Sequence, residues 1–367
     1  MPSEPISIRQ PAGDGPPPWQ EPVRGGYPEP EIFQQAPSVM LRAMAAGTAP
    51  QPPISRLTGM RLVECGVGTT TFSLPLSNWL CSSQGAISIG PLTIPADAAM
   101  ACAIQMELPP ATPLTTAELS LRLLRPAPPG GSITARGRVV DVRRTIALAE
   151  VTVTDQDEHL IAHGSSLCVL APEPARTAAR VDVPERPPAK PDTADGPDPW
   201  QRPALGAVLA QDVWERMTGL EVLLALTNDE LPPPPIQELT GLRATEAAER
   251  QATFAMPASE WLCAPIPGRV QGGAVAMLAE AGLSGAIQTT VPARTALAPI
   301  DLKVNYLRPL TADGRLATAA GRVLHAGRRV AVATAEVVGA DGRPVAVATG
   351  SGMLLPGRAV ALSPPRI

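Results

Sequence analysis

Aromatic residues and histidines are scarce in this chain of 367 residues. Phe, Tyr and Trp together make up 3% of the sequence, and the formal net charge is −4. No basic stripe with interleaved aromatic side chains is present, which argues against a nucleic-acid partner. The histidines, His159, His163 and His325, all lie in strand-rich parts of the sequence. Their positions disfavour a zinc site and a serine–histidine triad, so we expect no metal.

Long apolar runs and cysteine motifs are also absent. No stretch reaches the ~18 uninterrupted apolar residues that a membrane span requires. The first residues, Met-Pro-Ser-Glu-Pro, place an acid and prolines where a secretory leader needs a basic and then an apolar segment. The cysteines have no CxxC spacing, which favours reduced, buried thiols over a disulfide framework. We therefore expect a cytoplasmic protein that does not bind membranes.

Proline is abundant, with 45 residues, and much of it is clustered. Residues 1–30 and 172–205 combine many prolines with low hydrophobicity, which predicts a mobile arm and a stiff, extended linker. The chain is 44% apolar and long enough for two domains. We place these domains at residues 31–171 and 206–356, followed by a tail at 357–367.

The two predicted domains repeat the same short sequences at a displacement that drifts by only a few residues. Short loop insertions produce such a drift, so we infer a duplication. Two copies are too few for a solenoid, which leaves two domains of one fold. The repeated segments are LTGMR at 57–61 and LTGLR at 239–243, SNWLC at 77–81 and SEWLC at 259–263, and LRP at 124–126 and 307–309.

Each copy contains, in order, two strands, a loop, one long apolar helix and a run of strands. Asp341-Gly342, between the last two strands of copy two, is a hairpin signal. This β-β-α-β-β-β order predicts an α+β fold in which an antiparallel sheet wraps around the helix. Gly282 and Gly285 inside the helix of copy two are explained if the sheet approaches the helix closely.

The helix of copy two, which opens with Gly272-Gly273, carries one acid, Glu280. On a 3.6-residue period, Gly273, Met277, Glu280 and Ser284 share one side. We therefore expect the carboxylate to face the same way as the free amides at the start of its own helix. A solvated edge is the alternative interpretation of this lone acid.

These residues resemble the fingerprint HGGxxxxLA[DE] of the hotdog-fold thioesterases. The branch in question includes the phenylacetate-pathway (PaaI-like) thioesterase and the Arthrobacter-type 4-hydroxybenzoyl-CoA thioesterase. Gln271-Gly272-Gly273 and Leu278-Ala279-Glu280 match the two ends of the fingerprint. The resemblance implies a tandem (double) hotdog, whose two units pair within one chain and hold the site between them.

The resemblance also implies roles for individual residues. Gly272 or Gly273 would donate an amide to the thioester oxygen, and Glu280 would act as nucleophile or general base. Ser284 matches a hydroxyl one turn beyond the acid. In copy one, Asp97 matches Glu280, and we leave open whether it catalyses anything.

The chain departs from the fingerprint at several positions. Gln271 replaces the histidine, but its side chain can still donate a hydrogen bond. Pro265 replaces an amide residue that would position water. Copy one has Ser88-Ile89 in place of the first two fingerprint residues, and Pro95 is expected to disturb the first turn of its helix. The missing amide has to come from elsewhere, and the loop of copy one offers Ser82, Ser83 and Gln84, any of which could reach a shared site.

The candidates for contacting the phosphates of coenzyme A are the pairs Arg143-Arg144 and Arg328-Arg329, together with Arg308, because guanidinium groups suit phosphate. A charged, solvated hairpin edge is the alternative for both pairs.

The sequence thus favours hydrolysis of an acyl-CoA or acyl-carrier thioester, with no cofactor beyond the coenzyme A of the substrate. A non-catalytic acyl-thioester binding protein is the alternative. A hotdog dehydratase is a third, which would need a histidine close to Glu280. Double-hotdog units could also assemble into larger homo-oligomers.

Overall fold

A computed structural model describes residues 15–171, 196–358 and 360. Within these residues, no helix is long and apolar enough to cross a membrane. All cysteines of the chain are free thiols; three are buried and two are partly exposed. Burial raises the pKa of Cys81 and of Cys263 to about 12, so neither is an activated nucleophile.

The first copy contains three helices and six strands. The long apolar helix is α3, which begins at Ile89 and contains Pro95 beyond its first turn. The expectation that Pro95 disturbs the first turn is therefore wrong. The elements are α1 (Pro37–Ala45), α2 (Pro53–Thr58), β1 (Arg61–Gly66), β2 (Thr69–Pro75), α3 (Ile89–Gln105), β3 (Leu114–Leu123), β4 (Ser132–Val142), β5 (Ile146–Asp155) and β6 (Leu160–Leu170).

The second copy repeats this order with one additional helix. In both copies two strands precede the long helix and four follow it, one more than in the predicted β-β-α-β-β-β order, which is wrong in this respect. The elements are α4 (Gln211–Arg216), α5 (Gly219–Thr227), α6 (Pro235–Thr240), β7 (Arg243–Ala248), β8 (Gln251–Pro257), α7 (Gly272–Gln288), β9 (Thr295–Tyr306), β10 (Leu316–Ala326), β11 (Val330–Val338) and β12 (Pro344–Pro356).

All twelve strands form one antiparallel sheet in the order β1-β2-β4-β5-β6-β3-β9-β12-β11-β10-β8-β7. The two copies join where β3 pairs with β9, from Glu118 opposite Asn305 to Arg122 opposite Asp301. Residues 118 and 122 of copy one correspond to 301 and 305 of copy two, so the junction has an approximate two-fold axis. Around the long helices, each residue of copy one therefore corresponds to the residue 183 positions later in copy two.

The sheet curves around α3 and α7, which pack against each other in the core. Gly282 allows the close approach that the sequence predicts, because a Cβ there would lie 2.8 Å from the carbonyl oxygen of Ala319. Gly285 lies directly against the ring of Phe254. Nearly every side chain of α7 is buried as a result.

Short 3-10 turns with the sequence PWQ, at Pro18–Gln20 and Pro199–Gln201, precede the two copies and cross over to the opposite copy. Trp200 covers Gly59 at the end of α2, and Trp19 covers Gly241 at the end of α6. Both glycines have left-handed backbones, with φ of 80° and 75°. The arms also meet each other, because Arg202 forms an ion pair with Glu21 at 2.7 Å.

The crossed arms correct two expectations for the residues that are described. Residues 15–30 pack on the body of the protein, where the buried Tyr27 donates to Glu260, instead of forming a mobile arm. Residues 196–205 also pack on the body rather than forming a stiff, extended linker. Residues 1–14 and 172–195 lie outside the described residues, and the domain boundaries stay a prediction.

Of the predicted tail, Gly357, Arg358 and Val360 are described. Val360 is buried in a small second core beneath α4 and α5, and its amide donates to Gln211 at 2.9 Å. This core also contains Leu209, Val213, Trp214, Val222, Ala225 and Leu231.

Candidate functional site

Glu280, on α7, faces the start of α3 in the other unit. Its Oε2 accepts a hydrogen bond from the Ser88 hydroxyl at 3.2 Å, and its Oε1 accepts one from Ser284 at 2.6 Å. A Cβ on Gly90 would lie 2.9 Å from Oε2, so a glycine is needed for this approach. The carboxylate is 5% exposed and is not a solvated edge. The Ser284 contact confirms that the two residues share one face of α7.

Asp97, on α3, occupies the equivalent position and faces the start of α7. Its Oδ2 accepts the amide of Gly273 at 3.1 Å, and its Oδ1 accepts the Thr116 hydroxyl at 3.1 Å. The expectation that Glu280 faces Gly272 and Gly273 at the start of its own helix is therefore wrong. The two long helices pack so that each acid meets the other helix's first turn.

Both acids are harder to ionise than ordinary carboxyls because they are buried. Burial raises the pKa of Glu280 above its usual value, while the hydrogen bonds from Ser284 and Ser88 oppose this shift. Burial raises the pKa of Asp97 to about 6, and the hydrogen bonds from Thr116 and Gly273 oppose it. A carboxyl with a raised pKa takes up protons at a higher pH than usual, which suits acid–base chemistry.

A cavity of about 760 Å³ opens beside Glu280. Its walls are mostly apolar and come from both units, with Met277 and Ser284 on the same face of α7 as the acid. Much of the apolar lining consists of residues of α4, α5, β7, β8 and β9. Among them are Trp214, Val222, Leu223, Leu226, Phe254 and Leu297.

The two acid sites differ because different side chains fill the space next to each acid. Beside Asp97, Tyr306 reaches in and donates to the carbonyl oxygen of Gly272 at 2.9 Å, while Thr116 holds the carboxylate. The equivalent positions beside Glu280 are Leu123 and Pro299, which line the cavity. Neither replacement fills the volume that Tyr306 fills. The Glu280 site is therefore open and the Asp97 site is packed.

The side chain of Gln271 lies in the packed site and is already hydrogen-bonded there. Its Nε2 donates to the carbonyl oxygen of Ile94 at 2.9 Å, so this amide is occupied. Its Oε1 is buried and has no hydrogen-bond partner among the described residues. Gln271 and Gly273 are both on the Asp97 side, and neither is among the residues that line the cavity.

Gln84 lies in the loop of copy one that faces the cavity. Its Nε2 donates to Oε1 of Gln288, at the end of α7, at 3.3 Å. Both side chains line the cavity, and their hydrogen bond joins the loop of copy one to the end of α7. The structure thus brings Gln84, Ser284 and Glu280 to one cavity.

The predicted phosphate-binding arginines are outside this cavity lining. Arg308 is held by Asp341 at 2.5 Å, and Arg328 and Arg329 lie exposed at the turn between β10 and β11. The arginines of the lining are Arg125, Arg243 and Arg358. Within the described part of the chain, none of these three forms an ion pair.

Sequence reasoning missed Ser88 and these three arginines. Arg125 belongs to the repeated LRP motif, in which it corresponds to Arg308, and Arg243 ends the repeated LTG segment. The repeats therefore marked both positions, but only the structure shows which copy faces the cavity. All histidines of the chain lie away from the lining, in β6, in β10 and in the turn between β5 and β6.

Comparison with known families gives independent information on both units. The sequence profile of the thioesterase superfamily matches residues 92–162 and 267–346, from the long helix into the following strands of each copy. Both units match the thioesterase superfamily. A comparison with curated proteins finds no matching sequence.

Solved structures resemble this chain to different degrees. A candidate thioesterase from Novosphingobium aromaticivorans is 14% identical over 80% of this chain and 98% of its own, with a TM-score of 0.50. The tesB protein of Mycobacterium avium subsp. paratuberculosis is 14% identical over 83% of this chain and 98% of its own, with a TM-score of 0.49. The Escherichia coli PaaI protein is 15% identical over 38% of this chain and 94% of its own, with a TM-score of 0.32.

At 14% identity, the Novosphingobium aromaticivorans structure, with its TM-score of 0.50, bears on the fold alone. The predicted α+β tandem hotdog is confirmed. Assignment to the phenylacetate-pathway branch stays a prediction.

Proposed function

We propose that this protein hydrolyses an acyl thioester with an apolar acyl group at the Glu280 cavity. The observation that carries the proposal is a buried carboxylate that faces the first turn of α3 and borders a large, mostly apolar cavity. The family match of both units supports thioester chemistry.

The proposed site takes its parts from both units. Glu280 activates the attacking group, and Ser284 holds the carboxylate in place. The first-turn amides of α3, from Ile89 and Gly90, stabilise the negative charge that develops on the thioester oxygen. This role replaces the one that the sequence assigned to Gly272 and Gly273, whose helix start faces Asp97 instead.

The lining of the cavity suits a substrate with one apolar end and one negatively charged end. The acyl group lies among apolar residues of α4, α5, β8 and β9, where its burial is favourable. Arg125, Arg243 and Arg358 provide positive charge on the same cavity, which suits the phosphates of coenzyme A or an acyl-carrier group. These arginines replace Arg308, Arg328 and Arg329 in the proposal.

The test measures thiol release from acyl-CoA thioesters of increasing chain length. We expect Glu280→Gln to lower kcat/KM by about 10²-fold or more, because general acid–base groups typically contribute this much. Asp97→Asn is the matched control, since Asp97 is the equivalent acid in the packed site, and it should retain most of the activity.

Equal rates for wild type and Glu280→Gln would exclude Glu280 from the mechanism. Loss of activity in Asp97→Asn alone would move the site to the other acid. Tight acyl-CoA binding without any thiol release by the wild type would favour the binding-protein alternative.

A further inference from the structure

Ser88 precedes α3, but its hydroxyl does not cap this helix. A serine at this position ordinarily accepts a hydrogen bond from an amide of the first turn. Here no such bond is formed, and the hydroxyl instead donates to Oε2 of Glu280 at 3.2 Å. The half-buried side chain also lines the cavity. Ser88 is therefore turned towards the acid and the cavity rather than towards its own helix.

Glu280 is held from both sides. Ser284 occupies Oε1 at 2.6 Å, which leaves Oε2 directed at the Ser88 hydroxyl. A hydroxyl within about 2.6–3.2 Å of a base that a third group orients is the arrangement of an activated nucleophile. Ser88, Glu280 and Ser284 form this arrangement across the two units.

The amides that follow Ser88 are the candidate oxyanion donors; Ile89 and Gly90 are buried, and their neighbours Ser88 and Pro91 line the cavity. Ile89 and Gly90 are the first two residues of α3, and first-turn amides have no acceptor within their own helix. Among the described residues, neither amide donates a hydrogen bond to any acceptor. An amide directly after a nucleophile at a helix start is well placed to stabilise the oxyanion that forms on attack.

We propose that Ser88 is the nucleophile of this thioesterase and Glu280 its general base, a proposal that rests on the function proposed above. In the first step, Ser88 Oγ attacks the thioester carbonyl carbon, and its proton passes to Oε2 of Glu280. The carbon–sulfur bond then breaks, and the departing thiolate takes the proton from Glu280. The acyl group is left as an ester on Ser88.

In the second step, Glu280 takes a proton from water, whose oxygen attacks the ester carbonyl. The bond between the acyl carbon and Ser88 Oγ breaks, and the proton returns to Oγ. The products are the free acid and the original enzyme, so no oxidant or further reactant is needed.

The packed site has no corresponding nucleophile. Gln271 occupies the position equivalent to Ser88, and its side chain is bound to the carbonyl oxygen of Ile94. The serine hydroxyl and the open cavity are thus both found beside Glu280 and not beside Asp97. We therefore expect one nucleophile in each chain.

The experiment identifies the acylated residue. Wild type is mixed with an acyl-CoA and quenched within milliseconds, and separately treated with a fluorophosphonate that carries an apolar tail and reacts with activated serines. Peptide mass spectrometry should find both modifications on Ser88. Labelling should fall sharply in Glu280→Gln, which lacks the base. Ser88→Ala should lose at least about 10³-fold in kcat/KM, as removal of a nucleophile does.

Ser120→Ala is the control, because Ser120 lies in β3 outside the cavity lining and hydrogen-bonds to Glu118. It should keep wild-type rates and labelling. The proposal that Ser88 is the nucleophile would be overturned by any of three results. These are thiol release by Ser88→Ala at the wild-type rate, acylation of Glu280, or no label on Ser88 from either reagent. None of them would overturn the proposal that the protein is a hydrolase. Failure of the wild type to release thiol from any thioester would overturn both.

Discussion

At the scale of single residues, burial decides what the two acids can do. Glu280 and Asp97 are each 5% exposed, and each accepts two hydrogen bonds. Their surroundings nevertheless differ, because Glu280 borders a cavity and Asp97 is packed against Thr116 and Gly273. A carboxylate at equivalent positions can therefore serve chemistry in one unit and structure in the other.

The pH dependence of hydrolysis should report the titration of Glu280. A general base works only when deprotonated, and burial raises the pKa of this carboxyl above its ordinary value of 4.5. We therefore expect kcat/KM to rise with pH through a pKa above 4.5 and to level off at higher pH. Steady-state rates measured from pH 4 to pH 8 check this. A rate that is flat down to pH 4 would contradict it.

Asp97 should make the protein less stable as the pH rises from 4 to 7. Its carboxyl titrates near 3.8 when unfolded and near 6 when folded, so in this window the folded state holds a proton that the unfolded chain has lost. Stability contributed by this group is complete below pH 3.8 and is lost as the pH passes 6. The loss amounts to about 3 kcal/mol, at roughly 1.4 kcal/mol for each pKa unit.

Asp97→Asn removes this titration and provides the measurement. The difference in free energy of unfolding between variant and wild type should change by about 2 kcal/mol in favour of the variant from pH 4 to pH 7, because part of the full span lies below pH 4. Denaturant titrations at several pH values in this range measure it. A difference that stays constant would show that Asp97 titrates normally.

At the scale of elements, the crossed PWQ arms clamp the two units together. Each arm lies on the opposite unit, where its tryptophan covers a left-handed glycine that ends a short helix. The indole of Trp79 donates to the carbonyl oxygen of Arg202 at 2.9 Å, and that of Trp261 donates to Glu21 at 3.1 Å. The arms therefore add contacts between units beyond those of the sheet and the long helices.

Trp200→Ala should destabilise the protein by about 2 kcal/mol, less than the roughly 3–5 kcal/mol of a fully buried tryptophan, because Trp200 is half-buried. Trp19→Ala, the equivalent change in the other arm, should have a similar effect. Thermal or denaturant unfolding of both variants measures this. Unchanged stability would mean that the arms do not clamp the units.

Much of the fold could be predicted from the sequence at this scale. The repeated segments and the order of strands and helix indicated two units of one α+β fold, because local periodicity and turn residues determine these features. The arms were missed because short proline-rich segments have the composition of linkers. The repeat of PWQ at 18–20 and 199–201 was the available signal.

The site was only partly predictable. The pattern on α7 placed Glu280, Met277 and Ser284 on one face, since this depends on the helical period alone. Which helix start the acid faces depends on how α3 and α7 pack, and no local pattern contains that information. The sequence therefore identified the acid but chose Gly272 and Gly273 in place of Ser88 and Gly90.

At the scale of the whole molecule, the approximate two-fold axis relates an open site to a packed one. The difference rests on Tyr306 and Thr116 at one acid against Leu123 and Pro299 at the other. A larger side chain at position 123 should therefore close the open site.

Leu123→Tyr should lower kcat/KM for long apolar acyl thioesters by about tenfold or more, because lost contacts in an apolar pocket cost roughly 1–3 kcal/mol. Short acyl groups should be affected less. Tyr306→Leu is the matched control, since it alters the packed site and should leave these rates nearly unchanged. Equal losses for short and long acyl groups would show that position 123 does not border the acyl group.

The pairing of β3 with β9 joins two halves that are covalently linked but differ in sequence. In a symmetric homodimer, any substitution appears at both sites, because the same surface is used twice. In this chain a substitution changes one half only. The tyrosine that fills one site can thus be present without closing the other, and each site can be altered by substitution independently of its counterpart.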